Sequence, residues 1–121
     1  MREYGKKSWI FADGFCPSVS TCGISHDCVC LINTCTEPAH VRLTALFEED
    51  LPPMVFETVC PPARCRHFRM DKAKDASGKE LPRDTCYALV IESDQKIVAQ
   101  YSRLDTSLGN EALCTTIGYG E

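Results

Sequence analysis

The sequence predicts an all-β domain, a sandwich or a barrel, on three observations. Helical periodicity is almost absent. Short runs rich in β-branched and aromatic residues recur instead, separated by Pro, Gly, Asp and Asn clusters at intervals that suit a sandwich or barrel. The chain has 121 residues, 44% of them hydrophobic, which is the usual size of one domain and enough to close a single core.

The elements follow in order. The first expected strand, residues 8–12, lies in SWIFADGF, and the second, residues 28–33, is the apolar run CVCLIN, which offers apolar groups to both faces as a central strand does. Strands at 39–47 and 55–60 are divided by Leu51-Pro52-Pro53, and Pro61-Pro62 precedes a fifth at 64–69; these prolines cannot donate ladder hydrogen bonds. The charged segment DKAKDASGKELPR, residues 71–83, reads as an exposed loop. Strands at 86–92 and 96–102 flank Ser93-Asp94-Gln95, expected to be the polar turn of a hairpin. Residues 106–112 hold at most one helical turn, because Gly109 opposes more, and an eighth strand covers 113–119. No boundary, repeat or low-complexity tract divides residues 1–121, so a single domain is expected.

Charge and cysteine usage narrow the function. The formal net charge is -4, so there is no global basic field to drive non-specific nucleic-acid binding. The charged N-terminus has no apolar run of signal-peptide length and no eighteen apolar residues follow one another, which predicts a soluble, cytoplasmic protein. Thiols are kept reduced in that compartment, and the nine cysteines are an odd number. On one strand, Cys28 and Cys30 would have Cβ atoms about 6.5 to 7 Å apart, too far for a disulfide, which needs about 3.8 Å. The chain has no C-x-x-C, and the cysteines, including Cys60 and Cys65 near His67, are expected to be buried, inert thiols rather than zinc ligands.

The polar residues that interrupt the alternation are the candidate site. Ser25-His26-Asp27 precedes the buried run at the rim of the sheet, where binding groups often sit, although it equally suits a local turn. In RCRHFR, Arg64 and Arg66 share one face, while His67 and Arg69 share the other and suit an anionic or polyhydroxyl ligand as well as simple solvation. In QYSRLDT, Arg103 and Asp105 either pair with each other or help bind a sugar-like group. Trp9 and Asp13 add an aromatic surface and a carboxylate, though a lone Trp is more often core. No nucleophile elbow, phosphate loop or H-E-x-x-H is present, and the chain is expected not to be an enzyme.

These segments together carry a resemblance. WIFADGF at Trp9 to Phe15, SHDCVCLIN at Ser25 to Asn33, RCRHFR, DTCYALVIESD through QYSRLDT, and ALCTTIGY ending at Tyr119 resemble the sensory rhodopsin transducer family over nearly the whole chain. The resemblance implies a small antiparallel β-sandwich of jelly-roll type that assembles as a cyclic homotetramer; no cofactor and no metal are expected. It implies binding of a small polar or sugar-like ligand, and, as the alternative, service as a cytoplasmic partner of a membrane sensory rhodopsin; DNA binding belongs to that alternative. The implied ligand set is Trp9, Asp13, Ser25, His26, Asp27, His67, Arg69, Arg103 and Asp105. One departure is Asp27, where the family pattern usually has Glu.

Overall fold

A computed structural model describes residues 1–21 and 23–121 and contains eight antiparallel strands and, among the described residues, no helix. They are β1 (Lys6–Gly14), β2 (His26–Asn33), β3 (Ala39–Phe47), β4 (Met54–Cys60), β5 (Arg64–Arg69), β6 (Tyr87–Asp105), β7 (Ala112–Ile117) and β8 (Tyr119–Gly120). One sheet runs β4-β3-β6-β1-β8, and the other brings β5, β2, β6 and β7 together in that order. The β-sandwich expected from the sequence is what these two sheets form.

The expected hairpin around Ser93-Asp94-Gln95 is corrected. The chain does not turn back there: a single strand, β6, runs through it. Its first half pairs with β3 from Tyr87 to Ser93, and its second half pairs with β2 from Val98 to Leu104. The register against β1 shifts between Lys6↔Ile97 and Ser8↔Glu92, which marks the bend where β6 leaves one sheet for the other. The polar residues serve that bend rather than a turn. Asp94 accepts the His40 backbone N–H at 2.8 Å and faces the His40 ring Nδ1 at 2.9 Å, so it ties the start of β3 to the crossover.

Strict alternation explains the core. Val29 and Leu31 of β2, Val41, Leu43 and Ala45 of β3, and Leu89, Ile91, Ile97 and Ala99 of β6 all point between the sheets. Each large apolar side chain so buried contributes about 1.5–3 kcal/mol. Trp9 lies in the same core, with its indole N–H donating to the Ile97 carbonyl at 3.0 Å.

Residues 71–83 are only partly the exposed loop that their charge suggests. Ala73 and Leu81 anchor the segment in the core, and Asp71 is buried with its charge paired, so the segment lies against the sandwich. Its tip is fixed by the Asp75 carboxylate, which accepts from the Ser77 hydroxyl and the Ser77 and Lys79 backbone N–H groups. Residues 107–108 form a turn, not a helix.

Candidate functional site

Asp27 is the centre of the polar structure. It shares the inward face of β2 with Val29 and Leu31, which places a carboxylate, fully buried, between the sheets. Such a group is tolerated only when donors surround it. Oδ2 accepts the Phe15 backbone N–H at 2.9 Å and the Tyr87 hydroxyl at 2.7 Å, and the Tyr101 hydroxyl donates to it at short range. Oδ1 accepts Nε of Arg103 at 3.0 Å. The two tyrosine hydroxyls are 2.6 Å apart. Burial, followed by the neighbouring acidic groups, raises the pKa of both phenols, so both keep their protons as donors.

The network joins both sheets. Tyr87 reaches in from the half of β6 paired with β3, while Asp27, Tyr101 and Arg103 belong to the other sheet. Gly14 makes room for it: a Cβ there would stand 2.4 Å from the Tyr87 ring. Arg103 carries the network outward, its Nη2 donating to the Asp13 carbonyl at 3.3 Å and its Nη1 lying 3.5 Å from the exposed Asp13 carboxylate. Burial alone would lower the Arg103 pKa, but the bond to Asp27 outweighs it and the guanidinium is held charged more firmly than usual.

A second network gathers at Asp71. Its carboxylate receives Nε and Nη2 of Arg69 in a bidentate pair, both at 2.7 Å, and Arg83 approaches at 3.6 Å. Burial pushes the Asp71 carboxyl up, yet the Arg69 bonds and charge prevail and its pKa is lowered overall. Arg83 also donates to the Ser25 carbonyl at 3.0 Å and the Pro17 carbonyl at 2.9 Å, which binds residues 71–83 to the segment leading into β2.

The expected site residues divide accordingly. Asp13, Asp27 and Arg103 are together. Ser25 is buried, and its hydroxyl accepts the Thr106 backbone N–H at 2.9 Å, a structural clasp between the β2 entrance and the end of β6. His26 faces away from Asp27, and its Nδ1 donates to the Ile24 carbonyl at 2.9 Å. Arg69 is opposite Cys28 and His67 is opposite Cys30, so both share the outer face with His26, while Arg103 shares the inner face with Asp27. His26, Arg69 and Arg103 therefore do not meet in one cleft. Asp105 does not pair directly with Arg103; it accepts from the Ser107 N–H at 2.9 Å and the Ser107 hydroxyl at 2.6 Å. Trp9 is core and presents no exposed ring.

Tyr87, Tyr101, Asp71 and Arg83 are the polar residues that sequence reading did not single out. Strand parity held the signal for the tyrosines: Tyr87 is in phase with Leu89 and Ile91, and Tyr101 with Ile97 and Ala99, so both must point inward where Asp27 needs donors.

The cysteines are not uniformly buried, contrary to expectation. Cys16, Cys35 and Cys60 are, whereas Cys28 and Cys30 occupy the outer face of β2 half-exposed and Cys65, Cys86 and Cys114 are exposed. Odd-numbered positions of β2 point inward, so its cysteines cannot. All the described cysteines are unpaired, and no three described His, Cys, Asp or Glu side chains are grouped to hold a metal.

A concavity lies elsewhere, on the outer face of the β4-β3-β6 sheet. It encloses about 420 Å³ and is lined by His40, Arg42, Glu57, Val59, Glu92 and Asp94, among others. No described helix is long and apolar enough to cross a membrane.

Comparison with known proteins completes the picture. A crystal structure of Thermotoga maritima 1070 superposes with a TM-score of 0.86 at 37% identity, over 97% of this chain and 96% of that one. The Anabaena sensory rhodopsin transducer superposes with a TM-score of 0.75 at 32% identity, over 86% and 92% respectively. No curated protein matches the chain. The sequence model described as Anabaena sensory rhodopsin transducer matches residues 4–120, so this chain belongs to that family.

Proposed function

We propose that this protein is a non-catalytic cytoplasmic signalling module that acts through protein–protein contact, with a membrane receptor of the sensory-rhodopsin kind as its partner. The observation that carries this reading is the state of Asp27. Its oxygens are occupied by Phe15, Tyr87, Tyr101 and Arg103, so the carboxylate expected to hold a ligand is already bound within the fold. Recognition then falls to the surface of a rigid sandwich. The printed name of the Anabaena relative supplies the class of partner. Assembly into a homotetramer is part of the same proposal and rests on the family resemblance.

The test is a titration against a sensory rhodopsin in lipid nanodiscs, with empty nanodiscs as control. Saturable binding to loaded discs alone supports the reading. Equal binding to both, or to neither, overturns it.

A second reading is favoured by the concavity on the outer sheet face. His40 and Arg42 face Glu57, Glu92 and Asp94 there, a mixed-charge surface suited to a small polar or sugar-like ligand. A thermal-shift screen against sugars, sugar acids and nucleotides tests it. Native-state binding at a hundredfold excess over the dissociation constant stabilises by about 2.7 kcal/mol, and that shift should vanish in Arg42→Ala. DNA binding has less support, because the net charge is -4.

A further inference from the structure

The sequence contains C-x-C once, and its two cysteines, Cys28 and Cys30, are neighbours on one sheet face. Both stand half-exposed on the outer side of β2, where alternation puts the even-numbered residues of that strand. The other described thiols are placed differently. Cys35 and Cys60 are buried and donate to the Lys96 and Arg64 carbonyls at 3.5 and 3.3 Å. Cys16 is buried too, Cys86 precedes β6, and Cys114 lies opposite Arg103, on the other side of the sheet from the pair.

The two sulfurs act on one another. After burial, the Cys30 thiol is the main influence that raises the Cys28 pKa, so a negative charge on either sulfur is felt by the other. A cation between them would remove that repulsion. The Cys28 Sγ contact with the Val29 carbonyl is long, at 3.9 Å, and is displaced at little cost. Around the pair, Arg69 stands opposite Cys28 and His67 opposite Cys30 on β5, while uncharged Ser102 and Gln100 stand opposite them on β6. His26 continues their row on β2. Arg69 favours a thiolate at Cys28, an effect moderated by Asp71, with which it is paired.

We propose that Cys28 and Cys30 bind a soft monovalent metal cation, copper(I) in kind, between their two sulfurs. Thiolate is the donor type that selects copper(I). The strand spacing suits an ion held by two donors. Cβ atoms two positions apart on a strand are about 6.5 to 7 Å from each other, which forbids a disulfide with its Cβ atoms about 3.8 Å apart. A sulfur–metal–sulfur link is longer. Two bonds of about 2.3 Å, the zinc–sulfur length, take the place of one S–S bond of about 2.05 Å. A structural zinc ion takes four donors, whereas a two-coordinate ion needs the pair alone. Binding is a proton-for-metal exchange: the thiol protons leave to solvent, two thiolates share one positive ion, and no electron is transferred.

The test is a competition for copper(I) under anaerobic conditions, using the full, reduced chain and the chelator bathocuproine disulfonate, whose copper complex is read by absorbance. The unaltered protein should retain one equivalent against the chelator. Cys28→Ser and Cys30→Ser should each lose it, because one thiolate cannot compete. Cys65→Ser and Cys114→Ser should each keep it. Circular dichroism checks the folding of every variant, and an Ala variant replaces any Ser variant that does not fold.

Failure of the unaltered protein to retain copper(I) would overturn the proposal. So would undiminished retention in either Cys28→Ser or Cys30→Ser. Loss in Cys65→Ser would place the ion between Cys65 and Cys30, which are diagonal neighbours on the same face, and would overturn the assignment to the C-x-C pair.

Discussion

Arg103 bridges two carboxylates of opposite circumstance: its Nε meets Asp27, whose side chain is wholly buried, and its Nη1 faces Asp13, whose side chain is 87% exposed. The same guanidinium therefore makes one ion pair inside the protein and another in water. Truncating a buried partner strands the other groups, whereas an exposed pair contributes little. Asp27→Ala is expected to destabilise by about 3–5 kcal/mol and Asp13→Ala by at most about 1 kcal/mol. Urea unfolding followed by fluorescence measures both, and similar losses would contradict the assignment of Asp27 as the hub.

The two tyrosines should behave as a unit. Tyr87→Phe and Tyr101→Phe each remove one donor to the buried carboxylate, at about 1–3 kcal/mol apiece. Because they share Asp27 and contact each other, their double variant should depart from additivity by at least about 0.5 kcal/mol. A double-mutant cycle in the same assay reads that coupling.

Gly14→Ala offers an independent probe of the same place. The added methyl would overlap the Tyr87 ring, and the ring cannot retreat without leaving Asp27. Overpacking of this kind costs about 1–3 kcal/mol. Combining it with Tyr87→Ala should lessen the penalty, because the clashing ring is gone.

Asp71 sets an expectation for acid stability. Folding lowers its pKa, chiefly because the Arg69 bonds outweigh the cost of burial, so the native carboxylate binds a proton less readily than the unfolded one. Its contribution is complete above the unfolded value of about 3.9 and is lost as pH falls through the lower folded value. Unfolding free energy measured from pH 6 down to 2 should therefore drop below about pH 4, with a shallower slope in Asp71→Asn.

Cys28 should label slowly despite its partial exposure. Burial first, and the adjacent Cys30 second, push its thiol up to about 12, leaving little thiolate near neutrality. Iodoacetamide labelling read by mass spectrometry should modify exposed Cys65 and Cys114 first. The rate at Cys28 should rise about tenfold per pH unit up to its pKa.

The β architecture was legible because alternation is a backbone property written directly into runs such as Ala39–Phe47. β6 was not, because Ser93-Asp94-Gln95 has the composition of a turn and only the neighbouring strand β3 reveals that it serves a bend. The polar residues were found by their interruption of apolar runs, but composition does not say which face they take. Asp27 and Arg103 turned inward and satisfied one another, while His26, one residue away, turned outward. Asp71 was hidden for a different reason: in a segment so rich in charge, nothing local distinguishes the one carboxylate that the fold buries.

The shared strand β6 also dictates an order of events during synthesis. Residues 87–105 supply the partner for β1, β2, β3 and β7, so the first 86 residues contain strands whose central neighbour has not yet been made. Among the described residues, only the β3–β4 and β2–β5 pairs can form early, and neither closes the core. Long-range pairing of this kind folds slowly and leaves edges open meanwhile. A nascent chain halted before Tyr87 should thus be protease-sensitive throughout, and resistance should arise in one step once β6 has emerged from the ribosome.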